Sequence, residues 1–266
     1  MSKETTLESG GLAMVRATFF AVGFLLLCPV QIKAQNIPAQ YPPYNNNGYP
    51  DFAIDINLVK DVDVVDRLFK PTSCEVEEGT IIAVGTRRLV RFSVGVMNRA
   101  QLGTGATIGH PGDVLNPYYN WFVFDSCHQH YHIRNWASYT MLDSKNRVVG
   151  QGHKQSFCIE DVLKYDDRVS NPSRGYDCGG QWWTPGQGIT AGWADIYDKT
   201  ISGQWIDVTG LPSGTYTVRV TVNVSGMVFE GENRYSNTVE FKINLPSPTK
   251  KVPLVVCNDV DLYCGG

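Results

Sequence analysis

From Phe52 onward the chain is written in short runs of strand-type residues, and nowhere does a 3.6-residue apolar period persist. The runs RRLVRFSVGVMN (87–98), NWFVFDS (120–126), NWASYTMLD (135–143), GTYTVRVTVNV (214–224) and SNTVEFKINL (236–245) are rich in β-branched and aromatic side chains. Such residues fit a pleated, half-buried surface. Gly, Pro, Asn and Asp separate the runs, and LPSGTY (211–216) supplies turn residues just ahead of one of them. The expectation is an all-β domain over residues 52–245, a β-sandwich with long loops and few or no helices. An apolar content of 42% with 18% charge is enough to fill a core at this length. The segment from Asp161 to Gly188 has no strand period and reads as a long loop, of the kind that is functional or disordered.

The ends read differently. Residues 1–34 hold Arg16, an apolar run from Ala17 to Cys28, and Ala34 as a cleavage residue, the layout of a secretory signal peptide. The run falls short of the roughly 20 residues a bilayer span needs. An uncleaved anchor is the other reading, and translation could begin at Met1 or at Met14. Residues 35–51 are a Pro-, Asn- and Tyr-rich leader, and residues 246–266 a tail carrying Cys257 and Cys264. Loss of residues 1–34 removes Cys28 and leaves six of the seven cysteines. In a secreted chain six cysteines suggest up to three disulfides, with about fifteen possible connectivities. Cys257 and Cys264 are close enough to pair locally. A net charge of -3 and no basic run exclude a nucleic-acid partner. Asn223 opens the sequon NVS, which a glycan can use only if the site is exposed.

Three of the five histidines fall within DSCHQHYHIRNW (125–136), at every second position. On a strand His128, His130 and His132 share one face, with Gln129 and Tyr131 on the other. Same-face residues sit about 6.5–7 Å apart, within reach for three imidazoles to converge on one ion. In an oxidising compartment that donor set suits Cu(II) or Zn(II). A solvated or pH-sensitive histidine stripe is the plainer alternative.

SCHQHYH (126–132) resembles the copper-binding motif of the lysyl oxidases, and further segments are similar to that family in the same order. GHKQSFCIED (152–161) is similar to the segment holding the lysine that enters the cofactor. The stretch from Gly186 to Asn223 resembles the one holding its partner tyrosine, and ENRYSNTVEF (232–241) the closing strand. The likeness runs from about Cys74 to Lys242. It implies a β-sandwich secreted amine oxidase with Cu2+ and lysyl tyrosylquinone, the quinone being formed from Lys154 and Tyr197. It also implies O2 as oxidant and primary amines as substrates, foremost lysine side chains of extracellular proteins. The products are an aldehyde, hydrogen peroxide and ammonia. Tyr197 is matched through Asp195 and the following QWID (204–207), and Asp195, two residues away, is a candidate base for the substrate's α-proton. His153 is a candidate supporting group, and Trp182 with Trp183 a candidate lining of the substrate path.

Departures from the family are also visible. Trp193 and Gly203 stand where a disulfide brackets the cofactor tyrosine in animal members, and Ser138 stands where a further histidine follows the copper motif. A longer loop leads from Cys158 to Cys178. The pairing of Cys127 and Cys158 with Cys74 and Cys178 therefore stays open, with Cys127–Cys178 the expectation. Glu75, Glu77, Glu78, Asp166 and Asp167 would either make an acidic groove for lysine substrates or be solvated surface charge. The competing functional readings are a non-catalytic copper- or zinc-binding module, and an adhesion or wall sandwich with incidental histidines.

Overall fold

The computed structural model describes residues 48–101, 104–166, 175–178, 185–231 and 237–255. The segment 1–34, most of the 35–51 leader, Asp167, Trp182, Trp183, Cys257 and Cys264 lie outside the described residues.

The domain is all-β as expected. Among the described residues, helix is confined to Ile56–Val59, Cys74–Glu77 and one 3-10 turn, Tyr119–Trp121. No helix among them is long and apolar enough to cross a membrane. Three four-stranded sheets carry the fold among the described residues. One orders Phe52–Ile54, Val94–Asn98, Trp193–Tyr197 and Leu163–Lys164, all antiparallel. A second orders Trp205–Asp207, Gly85–Phe92, Val62–Phe69 and Leu254–Val255, the last pair parallel. The third orders Thr238–Leu245, Gly214–Val222, Ala137–Leu142 and Val148–Gln151. Two ribbons complete the set: Gln187–Ile189 with Ala106–Gly109, and Phe122–Asp125 with His130–Ile133.

Period-two burial drives the layering. Along Gly214–Val222 the side chains of Tyr216, Val218, Val220 and Val222 are buried, while Arg219 is exposed. They meet Val90, Phe92 and Ile206 from the second sheet and Phe52, Val94 and Val96 from the first in one apolar cluster. Burying one such side chain stabilises by about 1.5–3 kcal/mol, so this contact between sheets dominates the core. The run 87–98, continuous in the sequence, is cut at Ser93. Residues before it pair in the second sheet and residues after it in the first, so one segment crosses between layers.

The loop 161–188 is anchored by chemistry rather than by periodicity. Asp161, fully buried, accepts hydrogen bonds from the backbone of Gly175 and Thr190 at 2.9 and 2.8 Å and from the Thr190 hydroxyl at 2.6 Å. Among the described residues the disulfides are Cys74–Cys127 and Cys158–Cys178, with Cα separations of 5.8 and 5.7 Å. This corrects the expected Cys127–Cys178. Cys127 sits in the turn of the 122–133 hairpin, and that turn lies against the helix that begins at Cys74, whereas Cys178 returns beside Cys158. The sequon residue Asn223 does not meet the condition of exposure: it is 3% exposed, and its amide nitrogen donates to the Val228 carbonyl and to Glu230 Oε1 at 2.7 and 2.6 Å.

Candidate metal centre

The histidines sit on the ribbon Phe122–Asp125/His130–Ile133, but not all on a strand. His130 and His132 alternate with exposed Tyr131 as period-two geometry requires. His128 lies in the turn, and Gln129 adopts φ +59 to reverse the chain. The single-strand expectation is corrected in that respect, because a tight hairpin needs a turn where His128 falls. Convergence survives: one ring nitrogen from each histidine lies within 4.8 Å of the others. His130 Nε2 and His132 Nε2 are 3.0 Å apart.

Asp125 organises the turn. Its Oδ1 accepts from the backbone N–H of Cys127 and of His128, both at 3.0 Å, and its Oδ2 lies 3.1 Å from His132 Nδ1. Glu78 approaches from the helix side, with Oε1 3.6 Å from His128 Nε2. Burial pushes all three imidazoles below their ordinary pKa. For His128 burial, followed by repulsion from Lys154, carries it to about 4. They are therefore neutral near pH 7, the form that ligates a metal. Burial works against ionisation of Asp125, but hydrogen bonds from His132 and the His128 backbone hold its carboxyl well below the usual range. Glu78 is pushed up to about 8, by burial first and then by its hydrogen bond to, and repulsion from, Asp125.

Those residues fit a transition metal. Imidazole nitrogens on one ion sit about 2.0–2.1 Å from it and hence about 3–4 Å apart, and the His130–His132 spacing is of that size. A carboxylate on the far nitrogen of a ligating histidine is the usual support for such a ligand, and Asp125 occupies that position on His132.

Lys154 reaches the same place through pairing. Phe157 and Ile133 exchange backbone hydrogen bonds of 2.7 and 3.1 Å, and Trp136 N–H donates to the Gln155 carbonyl at 2.9 Å. The 154–157 segment thus runs beside the histidine ribbon. A cavity of about 540 Å³ is lined by Lys154, His132, His153, Asp125, Glu77 and Glu78, among others. Lys154 is 3% exposed, and burial lowers its pKa against the pull of Glu78, Asp125 and Glu75. Gly203, at φ +83, leaves the room it occupies: a Cβ there would stand 2.6 Å from Lys154 Cδ.

Tyr197 ends the strand Trp193–Tyr197, and its hydroxyl donates to the Cys158 carbonyl. Its ring packs edge-on against Phe157, centroids 4.6 Å apart, and the Lys154 ammonium nitrogen is 5.5 Å from the Phe157 ring. Phe157 therefore touches both residues, and Tyr197 belongs to the core rather than to the cavity wall. Asp195, buried, shares the strand face of Tyr197. After burial, its charge is the next cause of the raised Tyr197 pKa.

Glu75 and Glu78 are not surface charges. Glu75 is buried, paired with Arg67 Nη2 at 2.5 Å and accepting from Ser202 Oγ at 2.6 Å. Asp166 is buried too. Asp125 and Phe157 are not singled out by the sequence, which offers Glu78 only as a groove acid and Gly203 only as a missing cysteine. Asp125 alone left a signal there, as an aspartate opening a turn.

An all-β domain with three neutral imidazoles converging near a buried lysine defines a candidate transition-metal protein. Comparison with known proteins makes this specific. The Lysyl oxidase family profile matches residues 69–252. Lysyl oxidase homolog 2 of Gallus gallus is 32% identical over 202 residues, covering 71% of this chain and 24% of that protein. The Homo sapiens homolog 2 is 31% identical over 200 residues, with the same coverage. Protein-lysine 6-oxidase of Gallus gallus is 34% identical over 204 residues, covering 74% of this chain and 45% of that protein. The chain belongs to the lysyl oxidase family. It spans about a quarter of the length of the homolog 2 relatives and under half of protein-lysine 6-oxidase.

Proposed function

We propose that the protein is a secreted copper amine oxidase that oxidises primary amines, chiefly lysine side chains of extracellular proteins. The observation that carries this is the convergence of His128, His130 and His132 beside a buried Lys154. His128, His130 and His132 would hold Cu2+, and Lys154 and Tyr197 would form the lysyl tyrosylquinone. Together these groups, when present, supply the two-electron oxidation in which amine, O2 and water give aldehyde, ammonia and hydrogen peroxide.

The chain's own residues have defined tasks. Burial makes the free-amine form of Lys154 accessible, and a free amine is the nucleophile. Asp125 keeps His132 in orientation. Asp195, buried on the strand face of Tyr197, would be the base for the substrate's α-proton in this reading. Phe122, Ile133 and Phe157, all buried, exclude water behind the site. Residues 1–34 act as the signal peptide in this reading, 52–245 as the catalytic domain and 246–266 as a tail.

One observation favours the second reading, a non-catalytic copper- or zinc-binding module: the Phe157 ring packs on both Lys154 and Tyr197. Peptide mapping of the chain expressed with copper decides. A covalently joined pair of peptides containing Lys154 and Tyr197 supports the oxidase. Separate, unmodified peptides in fully copper-loaded protein leave only the metal-binding module.

A further inference from the structure

The histidine cluster poses a problem that its ligands do not solve by themselves. A neutral imidazole has one N–H and one lone pair, and which nitrogen carries the proton depends on what the other one meets. The structure assigns Asp125 as the positioning residue that sets the tautomer of His132 and the place of His128, so that two of the three ligands are set before the metal arrives. This rests on the proposed copper reading of the three histidines.

The geometry is specific. The carboxylate is an acceptor only, so Oδ2 at 3.1 Å from His132 Nδ1 requires the proton on Nδ1. That leaves the lone pair on Nε2, the atom facing His130 Nε2 at 3.0 Å. In the metal-free protein His130 must then donate from Nε2 across that contact. Oδ1 does separate work, accepting from the Cys127 and His128 backbone at 3.0 Å each and closing the turn that returns His128 to the cluster. The Asp125 carbonyl accepts from Gln129 N–H at 2.8 Å, tightening the same turn. Asp125 also faces His130 in the ribbon register. One residue thus acts on two ligands through its side chain and is strand-paired with the third. An amide at this position cannot do both jobs. If its oxygen holds the turn, its NH2 faces His132 Nδ1 and drives the proton to Nε2, where it blocks ligation.

Two measurements on the full chain test this. Long-range 1H–15N correlation on the copper-free wild type reads the tautomers without any substitution. Nδ1–H on His132 with Nε2–H on His130 is expected, and Nε2–H on His132 overturns the assignment. Copper binding is then measured by chelator competition with Cu(II) alone, with the Cu(II) EPR spectrum as a second readout, in wild type, Asp125→Asn and His130→Ala. Asp125→Asn is expected to bind Cu(II) about 10–100-fold more weakly with changed hyperfine splitting, and His130→Ala to lose the site. Wild-type affinity and spectrum in Asp125→Asn, with His130→Ala defective, overturn the role of Asp125 and leave the copper site standing. Unchanged binding in His130→Ala removes the three-histidine site and the assignment together. If Asp125→Asn does not fold, the tautomer measurement decides alone.

Discussion

Replacing Gly203 by alanine isolates the packing that confines Lys154. Two costs add. At φ +83 an L side chain is strained by about 1–2 kcal/mol. The new Cβ would also lie 2.6 Å from Lys154 Cδ and 2.9 Å from Lys154 Cβ, where carbon–carbon contacts settle at about 3.5–4.0 Å. Roughly 1 Å must be found. Neither side yields easily, because Ser202 is tied to buried Glu75 at 2.6 Å and Gln204 Oε1 accepts from the Tyr139 hydroxyl at 3.1 Å. Overpacking of this kind costs about 1–3 kcal/mol, for a total loss of about 2–5 kcal/mol. Gly210 is the internal control. Its φ is +82 and an added Cβ meets nothing within 4 Å, so Gly210→Ala pays the backbone cost of about 1–2 kcal/mol alone. Urea unfolding with both described disulfides intact gives the two losses, and peptide mapping after copper loading gives the yield of the proposed Lys154–Tyr197 link. Gly203→Ala is expected to be the less stable of the two and to lose most of the link. Equal stability of the two variants, within about 0.5 kcal/mol, together with a normal link in Gly203→Ala, would refute the reasoning.

Three further outcomes are expected. Phe157→Ala should destabilise by about 3–5 kcal/mol in urea unfolding, since the ring is 1% exposed and packs on Tyr139 and Tyr197; a loss below about 1 kcal/mol would show that the site collapses around the gap. Secreted from a eukaryotic host, the protein should carry no glycan at Asn223, as read by intact mass before and after glycosidase, because its amide is spent on Val228 and Glu230. Burial raises the Glu230 pKa, so the folded state holds that proton more tightly than the unfolded chain. Its contribution is full below the ordinary glutamate pKa and is lost as pH rises through the folded value. Wild-type stability should therefore fall relative to Glu230→Gln as pH rises above the ordinary glutamate range, and a pH-independent difference between the two would contradict it.

The all-β class was legible because strand periodicity is local. Gly214–Val222 and Thr238–Leu245 announce themselves in alternating side chains, and both form as expected. The break at Ser93 was not legible, since one continuous run serves two sheets and only tertiary pairing decides where the first sheet ends. His128, His130 and His132 could be read from spacing, but the turn at Gln129 could not, because period two describes a strand with any register. Glu75 and Glu78 could not be placed from the sequence for a general reason: acidic residues in a polar stretch are usually solvated, and their burial depends on Arg67, Ser202 and His128, partners that no local pattern reveals.

Those partners explain how residues far apart in the chain come to act at one place. A four-residue helix has no stability of its own in water, so Cys74–Glu77 is held by what it touches. Cys74 is joined to Cys127, 53 residues away and next to His128. Glu75 accepts from Ser202, 127 residues away and next to the glycine that makes room for Lys154. Glu78, just past the helix, reaches His128 itself. The same short segment thus holds the histidine turn through Cys74 and Glu78 and the loop beside Lys154 through Glu75. The disulfide does more than staple the fold: it seats the His128 turn against a helix whose next residue holds the loop around Lys154. Displacing either contact moves the other, because Cys74 and Glu75 are adjacent and leave no length of chain between them to absorb the change.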